Sequence, residues 1–358
     1  DRLFAKNMAI GGAINSAFTT KYNTIYLAQM AKNFVPRYLQ MEQDRFNHLS
    51  INPKVLIKEK QVVKEERRMR IEDNPIQVGL EKLNASMYPG SSFGYSVIGS
   101  MADIDALSSS KLIDWYRYWY RTQNISFLVQ GDVDPKQVKR WFENFTITQK
   151  PPSKNFHYQK MPNKAAKYHP SHLVLKKPYH ERAIIFAFDV PAITKNNFRD
   201  ALSLKLLVSI LNGREYGVWR DDFTQNKNPL ATLMQIQYQM LQEYGQSQLL
   251  LFFYPSPKVS IKTLKAKVIK ALEDLQKQNF TAAQLQMAKM QLRSQYVFQL
   301  DNSLNRLFSL AQFIQLGLGS NYWQQREDVL VGIDNQDLQR VIRRYLTPKD
   351  ASSTVLTK

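Results

Sequence analysis

Hydrophobic and polar positions alternate along this chain with two different periods, which predict a mixture of strands and helices. Short apolar runs rich in β-branched and aromatic residues predict strands at 126–130, 183–190, 232–239 and 248–254. Longer stretches with an apolar residue every three or four positions predict helices at 55–70, 261–278 and 282–299. Thr281 and Gln284 have the spacing of a capping box at the start of the last helix. Strands clustered with long helices predict an α+β fold rather than a doubly wound one.

Both halves of the sequence show the same order of elements. An amphipathic helix ends at Tyr120 in the first half and at Tyr345 in the second, and each is followed by a polar turn and an apolar strand. This spacing favours a duplicated α/β unit over a solenoid. The segment 151–172 has neither period and is typical of a connector. We therefore predict two homologous subdomains, 1–150 and 173–358, each a sheet with helices packed on one face.

In the predicted helix at 55–70, two glutamates occupy positions where apolar side chains are expected. At about 100° per residue, Glu59 and Glu66 share one stripe of the helix with Val55, Val62 and Val63. A carboxylate among valines needs a cation or hydrogen-bond donors, because its burial is otherwise unfavourable. A structural salt bridge would explain the pattern, since Arg70 follows Glu66 by one helical turn. The alternative is a metal-binding or catalytic carboxylate pair.

Charge and composition narrow the classes of function. The chain has 358 residues and a formal net charge of +19, which attracts nucleic acid, anionic lipid or acidic peptides. However, its basic residues form no compact block and no nucleic-acid-binding motif occurs, so we predict no nucleic-acid partner. No apolar run approaches the ~18 residues of a membrane span, which predicts no integral membrane segment. The lack of cysteine excludes disulfides and is compatible with either a periplasmic or a cytoplasmic location.

Several motifs of this chain resemble those of the insulinase/pitrilysin family of zinc peptidases. The segment GGAINSAFTTKYNTIYL at 11–27 is similar to the family's glycine-rich N-A-x-T segment, and EKQVVKEE at 59–66 to its E-x-x-V-V-x-x-E helix. Segments 88–107 and 115–135 resemble further family motifs in the same order, and 211–223 resembles part of the second half-unit. The resemblance implies a half-shell of the mitochondrial-processing-peptidase type and a zinc-dependent endopeptidase acting on unstructured peptides.

The same resemblance implies roles for individual residues. Glu66 matches the family's third zinc ligand, and Glu59 matches a carboxylate that supports the catalytic site. The implied cofactor is zinc, which with its protein ligands keeps one position open for water. Further residues match positions that bind the peptide substrate, in part where it adds as a strand: Asn15, Ala17, Phe18 and Arg220.

The chain departs from the family because it contains no H-x-x-E-H motif. None of its histidines has that spacing; they are His48, His157, His169, His172 and His180. We interpret His169 and His172 as part of a solvated loop in the connector. In the family the missing motif precedes the glycine pair, so we expect it upstream of Asp1 and expect this chain alone to be inactive. The residue seven positions after Arg220 is Lys227 rather than the family's tyrosine, which puts a complete substrate-binding pair in doubt.

These observations leave competing hypotheses. The first is a zinc endopeptidase in which this half-shell pairs with another as a homo- or heterodimer, with a periplasmic or otherwise exported location. The second is a non-catalytic subunit of the same fold that binds substrate or supports an active partner. Retention of Glu59 and Glu66 favours the first, because a subunit without metal has no need to bury them. A nucleic-acid or membrane-surface binder is favoured by net charge alone.

Overall fold

The computed structural model describes residues 8–9, 11–157, 167–176, 182–213, 217–242, 246–319 and 321–357. The chain divides into two compact units. Unit one comprises 1–69 and 96–161, and unit two comprises 70–95 and 162–358. Within the described ranges, no helix is both long and apolar enough to cross a membrane.

Helices and strands are numbered here in chain order. The strands are β1 (Ile14–Thr19), β2 (Thr24–Gln29), β3 (His172–Lys176), β4 (Ala183–Pro191), β5 (Ala231–Tyr238), β6 (Gln246–Pro255) and β7 (Ser352–Thr357). The first six helices are α1 (Val35–His48), α2 (Pro53–Arg67), α3 (Pro75–Met87), α4 (Met101–Asp105), α5 (Ser109–Trp119) and α6 (Pro135–Glu143). The remaining helices are α7 (Phe198–Asn212), α8 (Ile261–Leu275), α9 (Ala282–Asp301), α10 (Ser303–Gln315), α11 (Tyr322–Val331) and α12 (Asn335–Tyr345).

In unit one, the antiparallel hairpin β1–β2 is accompanied by helices α1, α2, α4, α5 and α6. Helix α2 begins where its sequence dictates, because the Asn52 side chain accepts a hydrogen bond from the backbone N–H of Lys54 and Pro53 fits the first turn. In unit two, strands in the order β3-β7-β4-β6-β5 form a five-stranded sheet. All neighbouring strands in that sheet are antiparallel except the parallel pair β3–β7.

Both faces of the unit-two sheet are covered, which explains why β4 is an almost continuous apolar run. Successive side chains of a strand point to opposite faces. Phe186 and Phe188 of β4 belong to the larger core, together with α7 and α8, whereas Ile185 belongs to a second core with Leu83 and Met87 of α3. The predicted α+β class is confirmed, and α3 adds a helix on the face opposite the main helical layer.

The predicted strands at 183–190, 232–239 and 248–254 are confirmed as β4, β5 and β6. The predicted helices at 261–278 and 282–299 are confirmed as α8 and α9. The capping box is also present, because the side chains of Thr281 and Gln284 each bond to the other's backbone N–H.

The predicted strand at 126–130 is wrong, since no ladder forms there among the described residues. The preceding residue, Ile125, has extended backbone angles. A strand also needs a neighbour for its backbone hydrogen bonds, and the described part of unit one provides none. The repeated helix–strand order therefore holds after Tyr345, where β7 follows, but does not hold after Tyr120.

Helix α3 belongs to unit two and packs against its sheet. Gly79 permits this close approach: a Cβ there would lie 3.3 Å from the side chains of Thr354 and Leu356. The division into homologous subdomains, 1–150 and 173–358, remains a prediction.

Part of the predicted connector, 158–166, lies outside the described residues. His172, interpreted from the sequence as part of a solvated loop, instead begins β3, and its Nδ1 lies 3.0 Å from the Ser353 hydroxyl oxygen. The correction follows from the pairing of β3 with β7, a partner about 180 residues later in the chain that local sequence does not reveal.

Candidate functional site

Strand β1 carries most of the predicted substrate-binding residues at the surface of unit one. All of its residues are exposed, including Asn15, Ala17 and Phe18. Its register with β2 places Ala17 opposite Tyr26. Among the described residues, β1 pairs with β2 alone, so its other edge is open. An open strand edge presents N–H and C=O groups to which an extended peptide can add.

A cavity of about 670 Å³ in unit one is lined by residues of the hairpin and of α1. Asn15 and Ala17 both belong to its lining, so the structure brings these predicted residues together beside one pocket. The lining from α1 includes Tyr38, Glu42 and Arg45. The volume lies within the range of ordinary small-ligand pockets, roughly 300–1,000 Å³.

A buried ion pair forms part of the cavity wall. Glu42 is 4% exposed, and its Oε2 accepts a hydrogen bond from Nε of Arg45 at 3.2 Å. Burial disfavours the charged guanidinium, but the Glu42 carboxylate outweighs it and raises the pKa of Arg45. Burial, together with Glu42, also raises the pKa of Tyr38, so this hydroxyl keeps its proton at neutral pH. The wall therefore combines a neutralised charge pair with a hydroxyl donor.

A cluster of tyrosines connects this wall to α5. The hydroxyl oxygens of Tyr26 and Tyr120 are 2.6 Å apart, and the ring of Tyr120 stacks on that of Tyr116 with centroids 4.2 Å apart. Tyr116 in turn donates a hydrogen bond to the backbone carbonyl of Arg45 at 3.2 Å. Burial raises the pKa of Tyr116 and of Tyr120. These contacts fix the position of β2 relative to α1 and α5.

Sequence reasoning missed this polar cluster, although a signal was present. Tyr38, Glu42 and Arg45 recur at four- and three-residue spacing, which places them on one face of α1. Leu39 and Phe46 lie on a neighbouring stripe and are buried. Glu59 and Glu66 were selected because their carboxylates share a helix stripe with apolar residues. The same criterion selects Glu42 as a candidate site residue.

The predicted metal-site glutamates of α2 are more exposed than the sequence led us to expect. Glu59 is exposed and Glu66 is half-buried. Of their apolar neighbours on the stripe, Val55 is 44% and Val62 60% exposed, and Val63 is half-buried. The expectation that this stripe packs against the protein is therefore wrong for the part of the chain described. The assigned roles, Glu66 as metal ligand and Glu59 as catalytic carboxylate, remain predictions.

The packed face of α2 is basic. Lys60 Nζ donates a hydrogen bond to the backbone carbonyl of Asp105 at 2.7 Å, and Lys64 forms an ion pair with the Asp105 carboxylate. Arg67, which is 7% exposed, donates to the backbone carbonyl of Gly99. Long basic side chains bury their aliphatic stems while their charged ends reach polar partners. Periodicity that counts only apolar residues therefore selected the wrong face.

The described residues do not by themselves form a zinc site. Such sites use at least three nitrogen, oxygen or sulfur ligands from the protein. Nowhere in the described ranges do three histidine, aspartate or glutamate side chains come together in a way that could hold a metal ion. His48 on α1 instead lies 2.8 Å from the Asp44 carboxylate, and His180 is outside the described residues. Glu59 and Glu66 offer only carboxylate oxygens, so zinc would need additional ligands.

Arg220 lies in unit two, at the end of the single helical turn Val218–Arg220. It is half-buried, and its Nε is buried without a hydrogen-bond partner among the described residues. Its backbone carbonyl accepts a hydrogen bond from the hydroxyl of Thr224 at 2.9 Å. Its substrate-binding role remains a prediction.

Comparison with protein families finds matches over most of the chain. The family profile described as "Peptidase M16 inactive domain" matches residues 106–292. The profile described as "Insulinase (Peptidase family M16)" matches residues 1–100.

Known proteins of similar sequence are named as zinc proteases. "Zinc protease PqqE" of Helicobacter pylori is 24% identical over 358 residues, covering 96% of this chain and 76% of that protein. "Uncharacterized zinc protease YmxG" of Bacillus subtilis is 22% identical over 353 residues, covering 97% of this chain and 81% of that protein.

Solved structures confirm the fold. A protease from Helicobacter pylori superposes with a TM-score of 0.84 at 20% identity, covering 99% of this chain and 84% of that chain. The periplasmic protease PqqL from Escherichia coli gives a TM-score of 0.76 at 12% identity, covering 98% of this chain and 38% of that chain.

Proposed function

Because this chain belongs to peptidase family M16, the insulinase family, we propose that it serves in zinc-dependent cleavage of unstructured peptides as a metalloendopeptidase. The observation that carries the proposal is the exposed strand β1, which pairs only with β2 among the described residues and whose Asn15 and Ala17 line a cavity within the region matched by the insulinase profile. Its relatives PqqE and YmxG are named as zinc proteases, which supports the same class of reaction.

In this proposal, the peptide substrate adds as a strand along β1. Asn15, Ala17 and Phe18 contact its backbone and side chains, and the adjoining cavity accepts one of its side chains. An extended, unstructured segment meets this requirement because its backbone N–H and C=O groups are free to pair. A substrate-binding role is also proposed for Arg220, in unit two, on the resemblance of residues 211–223 to the family.

Glu66 is proposed as one zinc ligand and Glu59 as a carboxylate supporting the site. These 358 residues contain no H-x-x-E-H motif, so the proposal requires histidine ligands that they do not supply. A dimer with another half-shell, homo- or heteromeric, would complete the enclosure around the peptide. Export to the periplasm is proposed as well, by likeness to the periplasmic protease PqqL of Escherichia coli.

A second candidate function is that of a non-catalytic subunit of the same fold, which binds substrate or supports an active partner. The observation that favours it is the match of residues 106–292 to the profile described as "Peptidase M16 inactive domain". This candidate keeps the role of β1 but removes the metal roles of Glu59 and Glu66.

An experiment separates the candidates. The protein expressed from its whole gene and the 358-residue chain are each incubated with an unstructured, internally quenched peptide, with and without 1,10-phenanthroline. We expect chelator-sensitive cleavage by the protein from the whole gene and no cleavage by the 358-residue chain. Binding of the peptide without cleavage by either protein would favour the non-catalytic subunit, and cleavage that resists the chelator would contradict the zinc proposal.

A further inference from the structure

Strand β3 forms an outer edge of the unit-two sheet, and none of the described residues pairs with its free side. The backbone carbonyl of Ser171 accepts a hydrogen bond from Ser353 N–H at 2.8 Å, which sets the phase of the parallel ladder with β7. In a parallel ladder, every second residue directs both its N–H and its C=O toward the paired strand. The residues between them direct both groups to the other side. It follows that His172, Val174 and Lys176 direct these groups away from β7, toward the open edge.

The side chains of these same residues give the edge its chemical character. His172, Val174 and Lys176 share one face of the strand and are exposed, Val174 by 61%. Leu173 and Leu175 point to the other face, where they pack against the core that includes α3. The open edge is therefore anchored to the sheet by its leucines and exposes one valine between two basic residues.

Helix α8 adds a further positive charge to this edge. Val355, the partner of Val174 in the ladder, belongs to the same core as Leu264 and Val268 of α8, so α8 packs on the face of the sheet that carries His172 and Val174. Burial lowers the pKa of His172, and the Lys265 ammonium lowers it further, which agrees with this placement of α8. Neither Lys176 nor Lys265 forms an ion pair or hydrogen bond with another described residue. Within the described ranges, the positive charge of these lysines has no acidic partner, and an acidic polypeptide would neutralise it.

We propose that the edge of β3 is a docking site for an extended acidic polypeptide segment, which adds to the sheet as a further strand. Its backbone bonds to His172, Val174 and Lys176, and carboxylates on alternate residues meet Lys176 and Lys265. A polypeptide fits better than nucleic acid or a lipid surface, because free backbone donors and acceptors regularly spaced along a strand match another polypeptide backbone. This site is in unit two and does not depend on the peptidase proposal.

The test measures binding of a labelled peptide of alternating glutamate and valine to the full chain by fluorescence anisotropy. We expect Lys265→Glu to weaken binding by about tenfold, because it reverses a charge at the edge. Lys267→Glu is the matched control. It makes the same change at an exposed position of α8, on the opposite side of the helix from Lys265. It should change binding less than about twofold. Equal effects of the two substitutions would overturn the proposal.

The strand geometry is tested separately from the charge. Val174→Pro removes an N–H at the open edge without removing a β3–β7 hydrogen bond, a position where proline is tolerated. It should weaken binding at least about fivefold with little change in melting temperature, whereas Val174→Thr should bind like the parent. A peptide that is N-methylated on alternate residues should bind the parent protein as weakly as the unmethylated peptide binds Val174→Pro. Full binding of the methylated peptide, or tighter Lys265-dependent binding of duplex DNA or phosphatidylglycerol vesicles, would contradict strand addition.

Discussion

Lys60 on α2 donates a hydrogen bond to the backbone carbonyl of Asp105 across 2.7 Å, at the C-terminal end of the short helix α4. A cation at this end satisfies carbonyls that have no partner within the helix and complements the helix dipole. Arg67, two turns later on α2, bonds to the carbonyl of Gly99 just before α4 begins. The basic face of α2 therefore holds both ends of α4 and fixes the direction in which Glu59 and Glu66 point.

We expect Arg67→Met to lower the free energy of unfolding by about 1.5–3 kcal/mol, because it removes a hydrogen bond from a buried charged group to the Gly99 carbonyl. Arg68→Met, next to it on the exposed side, breaks only a surface ion pair with Glu65 and should cost at most about 1 kcal/mol. Urea unfolding of the two variants checks this difference. Equal losses would show that the Arg67 contact does not hold the helix.

Asp337 should stabilise unit two in a pH-dependent way. Burial opposes its charge, but hydrogen bonds from Arg199 and Arg340 outweigh burial and lower the pKa of Asp337 to about 2. Because this is below the unfolded value of about 3.9, the stabilisation is complete above about pH 4 and is lost as pH falls toward 2.

We therefore expect Asp337→Asn to be roughly 2 kcal/mol less stable than the parent at pH 7, with a difference that shrinks on acidification. Asp274→Asn, which loses only an exposed pair with Lys270, is the control and should differ little at any pH. Urea unfolding from pH 3 to 7 measures both variants. A difference that does not change with pH would contradict the assignment.

Asp189 should have the opposite pH dependence. Its Oδ1 accepts hydrogen bonds from the Tyr88 hydroxyl and from Gln246 Nε2, each at 2.8 Å, but burial outweighs these donors and raises the pKa of the carboxyl. A raised folded-state pKa means that the folded protein prefers the protonated acid. Ionisation therefore destabilises the fold as pH rises above the unfolded value of about 3.9.

We expect Asp189→Asn to raise the melting temperature at pH 7 by about 1–4 °C, because it keeps the acceptor oxygen without the charge. The gain should disappear near pH 4. Asp189→Ala should instead lower the melting temperature, since the donors of Tyr88 and Gln246 lose their acceptor. Differential scanning fluorimetry across this pH range checks both variants, and a loss of stability in Asp189→Asn at pH 7 would show that the charged form is preferred.

Elements whose signal is local were predictable from the sequence. The run at 183–190 and the capping box at Thr281 both appear in the structure, because apolar composition and short-range capping need no distant partner. The segment 126–130 has the same composition but forms no strand in the described part of the chain, since a ladder requires a neighbour. The start of β3 at His172 was missed for the converse reason, because its partner β7 is remote in sequence.

The candidate site was predictable only in part. The resemblance around Asn15 selected the segment that forms β1, whereas the apolar stripe on α2 predicted the wrong packed face, because the burial of Lys60 and Arg67 depends on carbonyls supplied by another segment. The tyrosine cluster that joins Tyr26 to Tyr120 spans 94 positions, a distance that periodicity within one helix does not register.

Whether Glu66 is a zinc ligand can be measured as the zinc content of variants of the protein expressed from its whole gene. Mass spectrometry should find zinc in the parent and in Glu65→Gln, which alters a neighbouring exposed position. Glu59→Gln should retain much of the metal but lose activity, because it removes a supporting carboxylate and not a metal ligand. We expect Glu66→Gln to lose zinc and nearly all peptide cleavage while keeping its melting temperature; undiminished zinc and full activity in Glu66→Gln would contradict the assignment.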